Sequence, residues 1–105
     1  GARRSMDLNE EQNNLFLSNA EAHIEKMDGF NSQQKKLLKT YFSRLLSTSE
    51  TVDADKILRQ VELIERQKIE STYQHFQDIK RIIKPEQQAG FEEFVNQALQ
   101  RILLE

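Results

Sequence analysis

The feature that most constrains the fold is a long run, from Asp53 to Ile83, that contains neither glycine nor proline. Its apolar residues recur at intervals of three and four, which is the spacing of one face of an α-helix. At a rise of ~1.5 Å per residue, one helix over this run would be on the order of 45 Å long. The polar residues between Ile64 and Ile69 interrupt the apolar stripe. We interpret this interruption as a change of packing partner along one unbroken helix.

The long helix is predicted to end at Lys84, because Pro85 disfavours helical geometry in the residue before it. The same proline suits the first turn of a new helix, and Glu86 adds the negative charge that a helix N-terminus favours. A last helix is therefore expected over residues 85–105. Its predicted inner face consists of Phe91, Phe94, Val95, Ala98, Leu99, Ile102 and Leu103.

Two shorter helices are predicted before the long one. The first runs from about Leu8 to Met27, with Asp7 as its N-cap, and ends at the turn signal Asp28-Gly29. Its apolar face consists of Leu8, Leu15, Phe16, Ala20, Ile24 and Met27.

The second predicted helix spans residues 32–46. Asn31 is expected to cap it while Gln34 reaches back, which is the pattern of a capping box. The segment has a charge of +4 and no acidic residue, whereas the last helix has a charge of −3. Its bases are Lys35, Lys36, Lys39 and Arg44, and its expected inward residues are Leu37, Leu38, Tyr41, Phe42, Leu45 and Leu46.

Composition agrees with an all-α protein. Charged residues make up 30% of the chain and hydrophobic residues 37%, while only 3 glycines and 1 proline are available for turns. The pattern predicts a four-helix hooked hairpin around one long helix. We expect a single domain over residues 7–105, preceded by a tail or cloning remnant over residues 1–6.

Composition also narrows the functional classes. A count of 0 cysteines excludes a disulfide and a thiolate metal site, and a net charge of −2 argues against nucleic-acid binding. There is no glycine-rich phosphate loop, and the carboxylates lie on helix faces where solvation explains them. We therefore do not expect an enzyme.

Two stretches together resemble a known group of proteins. The first, from His75 to Gln87 with Phe91 after it, is similar to the end of the small periplasmic all-helical proteins CnrX, ZraP, Spy and CpxP. In these proteins a short apolar helix end precedes a Pro-Glu-Gln turn into the final helix. The second, Phe30-Asn31-Ser32-Gln33-Gln34, resembles the Leu-Thr-x-x-Gln signature of the group. The similarity spans roughly residues 20 to 103.

The resemblance implies a periplasmic, non-catalytic protein that senses metal or envelope stress, and that is usually a homodimer with a membrane-bound signalling partner. An alternative is an ATP-independent chaperone for unfolded client proteins, in which the basic face of the second helix attracts acidic chains. A helical dimerisation module without a ligand also remains open. Leu63 supports a homodimer, because it lies opposite Val61 and Ile57 on the long helix.

The resemblance also suggests candidate metal ligands. In metal-sensing members a histidine on the long helix binds metal, and His75 stands at that place. His23 and Met27 are one turn apart on the first helix, and Glu25 lies near an expected ligand position. The ions that suit these ligands are nickel, cobalt, copper and zinc. In the alternative interpretation these residues are structural and bind no metal: His75 lies where two helices pack together, and Met27 fills a gap in the core.

The chain departs from the metal-sensing pattern at two positions. Ile79 stands where those members have a methionine, and Phe42 or a neighbour replaces a carboxylate ligand.

Overall fold

A computed structural model describes residues 6–46 and 51–104, without the side chain of Leu104. Within these ranges the chain forms three α-helices and no strand: α1 spans Glu10–Ser43, α2 spans Ala54–Ile82 and α3 spans Gln88–Leu104. A 3-10 turn, Pro85–Gln87, joins α2 to α3. The all-α prediction is confirmed. None of these helices is long and apolar enough to cross a membrane.

Helix α2 is the predicted long helix, and it is continuous through residues 65–68. Asp53 caps it, since the backbone N–H of Lys56 donates to Asp53 Oδ1 at 3.1 Å. The next helical segment begins at Pro85, as predicted. Three segments lie outside the described residues: residues 1–5 of the expected tail, residues 47–50 before α2, and Glu105.

Helix α1 is one continuous helix where the sequence predicted two. The predicted number of four helices is therefore wrong for the described residues. Helix α1 runs for 34 residues straight through Asp28-Gly29. Gly29 has no positive φ, so it is an ordinary helical residue here. A glycine inside a helix costs about 1 kcal/mol relative to alanine. A break would instead leave several backbone groups without partners, which is the larger penalty.

The start of α1 also differs from the prediction. Asp7 has φ of 52°, in the left-handed region, and does not cap the helix. Asn9 does so instead: its Oδ1 accepts from the N–H of Gln12 at 2.8 Å, and Gln12 Oε1 accepts from the N–H of Asn9 at 3.0 Å. This is a capping box.

The helices divide into two compact units. The terminal unit contains residues 6–22 and 73–104, and the middle unit contains residues 23–46 and 51–72. The start of α1 and all of α3 thus share a unit with the end of α2. The expectation of a single domain stays a prediction.

The core of the terminal unit consists of apolar side chains from both ends of the chain. Its buried members are Met6, Leu8, Ile79 and Phe91. Met6 therefore belongs to the folded core and not to the tail to which the sequence pattern assigned it. Around this core the ring of Phe94 makes edge contacts with Phe16 and Phe76, at centroid distances of 5.6 and 6.0 Å.

Two glutamine side chains join three chain segments in the terminal unit. The amides of Gln12 and Gln87 donate to each other, with N–O distances of 2.8 and 3.0 Å. Gln12 Nε2 also donates to the carbonyl of Ile82 at 3.0 Å, and Gln87 Nε2 donates to the carbonyl of Asp7 at 2.9 Å. The N–H of Lys84 donates to Gln87 Oε1 at 2.8 Å. We call Gln12 and Gln87 the amide pair.

Several residues expected to face inward are exposed. Broad apolar faces were predicted on every helix, but each neighbour covers only a narrow stripe. The exposed members of those faces are Leu15, Ile24, Leu38, Phe42, Leu45, Leu46, Ile69, Tyr73, Leu99, Ile102 and Leu103. Leu63 is also exposed, which agrees with the outward position predicted for it.

We predict that Gly29→Ala raises the free energy of unfolding by about 1 kcal/mol, because it removes a glycine from a helix interior. A Cβ at this position would meet no atom within 4 Å, so the gain is not offset by a clash. Chemical denaturation followed by circular dichroism measures the change. The reverse substitution Ala22→Gly, at an exposed site on the same helix, should lower stability by a similar amount. A destabilised Gly29→Ala protein would show that residues 28–29 form a turn.

Candidate functional site

An open apolar groove lies along the C-terminal part of α1, in the middle unit. Leu38 and Phe42 are one turn apart on α1, and Leu46 follows in the turn that ends the helix. Their exposed fractions are 37%, 58% and 89%. The groove has a volume of about 570 Å³, and its other lining residues are Asn31, Gln34, Lys35, Lys39 and Ser43. We call this surface the α1 groove.

The sequence contains a pattern that indicates this exposure, although helical periodicity alone does not reveal it. Apolar residues occur as adjacent pairs in three successive turns: Leu37-Leu38, Tyr41-Phe42 and Leu45-Leu46. Adjacent residues point about 100° apart, so such pairs make a stripe wider than one neighbouring helix covers. Leu37 and Tyr41 are half-buried, and the second member of each pair is exposed.

The groove has a positive border. Residues 29–46 contain four basic residues and no acid. Two of the bases, Lys35 and Lys39, line the groove directly. The guanidinium of Arg44 lies over the ring of Tyr41, 4.9 Å from its centroid, and that ring makes an edge contact with Phe42 at 5.3 Å. An apolar surface with this border favours segments that combine apolar and acidic residues.

One side of the groove rests on a polar cluster between α1 and α2. Gln34, buried to 9% exposure, donates to Glu65 Oε1 at 2.7 Å. Lys68 Nζ donates to Gln34 Oε1 and to Glu65 Oε1, both at 3.2 Å. We call these three side chains the polar cluster. It corrects the prediction for Gln34, which does not cap a helix but joins the two long helices.

The polar cluster changes the acidity of its carboxylate. The hydrogen bond from Gln34 lowers the pKa of Glu65 below its ordinary value of 4.5. Desolvation opposes this effect, and the hydrogen bond and charge of Lys68 lower the pKa further. The charged carboxylate is therefore the form that the folded protein favours.

The candidate metal ligands are distributed over both units. His23 and Met27 are half-buried and one turn apart on α1, so one ion could contact both. Glu25 lies about 200° around the helix from His23 and is exposed on another face. His75 belongs to the terminal unit, where its ring lies 5.9 Å from that of Phe76.

The acidity of His23 bears on its ability to bind metal. Desolvation in its half-buried position lowers the pKa of His23 below 6.5, and the nearby charge of Lys26 lowers it further. At neutral pH its imidazole is therefore neutral, which is the form that coordinates an ion. Among residues 6–46 and 51–104, no three histidine or carboxylate side chains converge on a point where they could hold a metal ion.

Comparisons of this chain with the models of known protein families, with curated proteins and with solved structures found no match.

We predict that acid weakens the fold through Glu65. Because its pKa is lowered on folding, its stabilising contribution is complete above about pH 4.5, the ordinary value, and is lost as pH falls through the lower folded value. Urea unfolding between pH 7 and pH 3 should show this loss. Glu65→Gln should be less stable at pH 7 and should lose less stability on acidification. The matched control is Glu62→Gln, at an exposed carboxylate on the same helix, which should behave as the parent protein does.

Proposed function

We propose that this chain is a non-catalytic periplasmic protein that holds unfolded client chains without ATP during envelope stress. The observation that supports it is the α1 groove, an exposed apolar surface with a basic border. The periplasmic location rests on the resemblance to the CnrX, ZraP, Spy and CpxP group, and the hooked-hairpin arrangement rests on that resemblance and on the helical pattern of the sequence. A membrane-bound signalling partner belongs to the sensor alternative described below.

The chemistry of the groove suits a holding function. Leu38, Phe42 and Leu46 offer apolar contact over about two turns without an enclosed pocket, so the surface can accept many sequences. Burying one such side chain completely gives about 1.5–3 kcal/mol, and partial burial gives less. Binding of this strength is weak and reversible, as release without ATP requires. The lysines add attraction for acidic segments and reduce binding to basic ones.

A second candidate function is metal sensing, and the neutral imidazole of His23 beside Met27 favours it. In this proposal His75, His23, Met27 and Glu25 are the candidate ligands, and nickel, cobalt, copper or zinc is the ion.

We also propose that the chain forms a homodimer. The exposed apolar residues lie on all three helices, and Leu63 on α2 is 56% exposed. Surfaces of this kind on a small protein are typical of interaction sites. Light scattering should show a mass above that of one chain at high micromolar concentration. A monomer throughout that range would contradict the proposal.

We predict that Phe42→Ser impairs client holding. The measurement is the aggregation of a reduced, acidic client protein in the absence of ATP, followed by turbidity. The variant should need about tenfold more protein for half-maximal suppression, since it loses the largest apolar side chain of the groove.

The matched control for this experiment is Leu17→Ser. Leu17 is 54% exposed, close to the 58% of Phe42, but lies on α1 outside the groove. It should suppress aggregation as the parent does. Equal suppression by both variants would contradict the assignment of the groove, and no suppression by the parent would contradict the holding function.

We predict that, if the metal proposal is correct, calorimetric titration with nickel, cobalt, copper or zinc releases or absorbs heat, and that His75→Ala and His23→Ala each reduce binding. Affinity should fall as the pH drops through about 6.5 for an ordinary imidazole. The part that depends on His23 should persist to lower pH, because its pKa is lowered. The control is Gln74→Ala, next to His75. Absence of heat with all four metals would contradict metal sensing.

A further inference from the structure

We infer that copies of this chain associate by placing α3 of one copy along the α1 groove of another, with the two helices parallel and Lys35 beside Glu92. This inference deepens the proposed self-association by naming its surfaces. It does not depend on client holding.

The second surface is a face of α3 that its own unit leaves uncovered. Phe91 is buried in the core of the terminal unit, and Phe94 and Val95 pack against that core. Beyond them the helix presents Leu99, Ile102 and Leu103, with exposed fractions of 39%, 52% and 78%. We call these three residues, together with Glu92 and Glu93, the α3 face. Both it and the α1 groove are therefore open to another chain.

The two surfaces have opposite charge. The segment that contains the α1 groove is basic and has no acid over residues 29–46, whereas residues 86–104 contain three acids and one base. Glu92 and Glu93 are exposed, as are Lys35 and Lys39. Contact between the two surfaces would bring apolar groups together and place opposite charges side by side. Contact between two copies of the same surface would instead bring like charges together.

The two segments also share one spacing of charged and apolar positions. Lys35 precedes Phe42 by seven residues, as Glu92 precedes Leu99. Three and four residues later the pattern continues with Leu45 and Leu46 in the first segment and with Ile102 and Leu103 in the second. Seven residues are close to two helical turns, so Lys35 lies on the same side of α1 as Phe42, and Glu92 lies on the same side of α3 as Leu99.

This shared spacing determines the direction of pairing. In a parallel arrangement Lys35 lies beside Glu92, Phe42 beside Leu99, and the pair Leu45-Leu46 beside Ile102-Leu103. In an antiparallel arrangement each charge would lie beside the apolar end of the other helix and would lose its partner. The parallel arrangement satisfies both the charged and the apolar positions at once.

A contact of this kind would cover the α1 groove. Self-association and client binding would then compete for the same apolar side chains, and addition of client should release single chains. This competition would regulate access of clients to the α1 groove without ATP and without a further partner protein.

Charge-reversal variants test the inference. Lys35→Glu with Lys39→Glu makes the groove acidic, and Glu92→Lys with Glu93→Lys makes the α3 face basic. Each double variant places like charges together and should weaken association, measured by sedimentation velocity, by about tenfold. The chain that carries all four substitutions restores opposite charges and keeps the net charge of −2. It should associate as the parent does. Circular dichroism confirms that each variant is folded.

A control separates the contact from the effect of net charge. Lys56→Glu with Arg59→Glu changes the net charge by the same amount as the groove variant, at exposed residues of α2. It should leave association unchanged. If the parent associates and the double variants associate equally well, the assignment of the surfaces is overturned while self-association stands. Failure of the four-fold variant to restore association overturns it as well. A parent that is monomeric throughout overturns both, and none of these results depends on the client-holding assay.

Discussion

The amide pair is the polar interaction that joins the start of α1, the end of α2 and the 3-10 turn in the terminal unit. Each of the two glutamine side chains uses both donor hydrogens and accepts two hydrogen bonds at its oxygen, so all their bonding capacity is satisfied. Gln12 accepts at the start of α1 and donates to Ile82, whose carbonyl ends α2. Gln87 accepts a hydrogen bond from the backbone N–H of Lys84, the residue before Pro85. Three chain segments are therefore held at one point, beside the core of Met6, Leu8, Ile79 and Phe91.

The continuity of α1 matters equally for the candidate site. Because the helix does not stop at Asp28-Gly29, Gln34, Leu38 and Phe42 lie on one continuous helix. In the middle unit this helix directs Gln34 toward Glu65 and Lys68 and leaves Leu38 and Phe42 exposed. The polar cluster thus holds the part of α1 that presents the groove. This contact favours one register between the two helices, because a shift would leave the buried amide of Gln34 without its partners.

The exposed apolar residues follow from the size of the chain. A protein of 105 residues has a small core, and three helices offer more apolar surface than their neighbours can cover. This surplus appears at the C-terminal part of α1 and at the end of α3, where the charges have opposite sign. The apolar surface supports client holding and self-association alike. The metal proposal rests on different residues, His75, His23 and Met27, so the two can be tested separately.

The sequence by itself determined the helical class, the unbroken α2 and the new helix at Pro85, because these follow from local propensity and from the geometry of proline. It did not determine which polar patterns cap helices. Asn9 and Gln12, Asn31 and Gln34, and Lys84 and Gln87 all have the spacing of a capping box. Gln12 and Gln87 each accept a hydrogen bond from a backbone N–H at the start of a helical segment. Gln34 instead lies inside α1 and donates to Glu65. Only the tertiary structure decided this, because the buried side chain of Gln34 finds a hydrogen-bond partner on α2, which local sequence cannot show. The same holds for the groove: periodicity shows that a face is apolar, but the neighbours decide how much of it they cover.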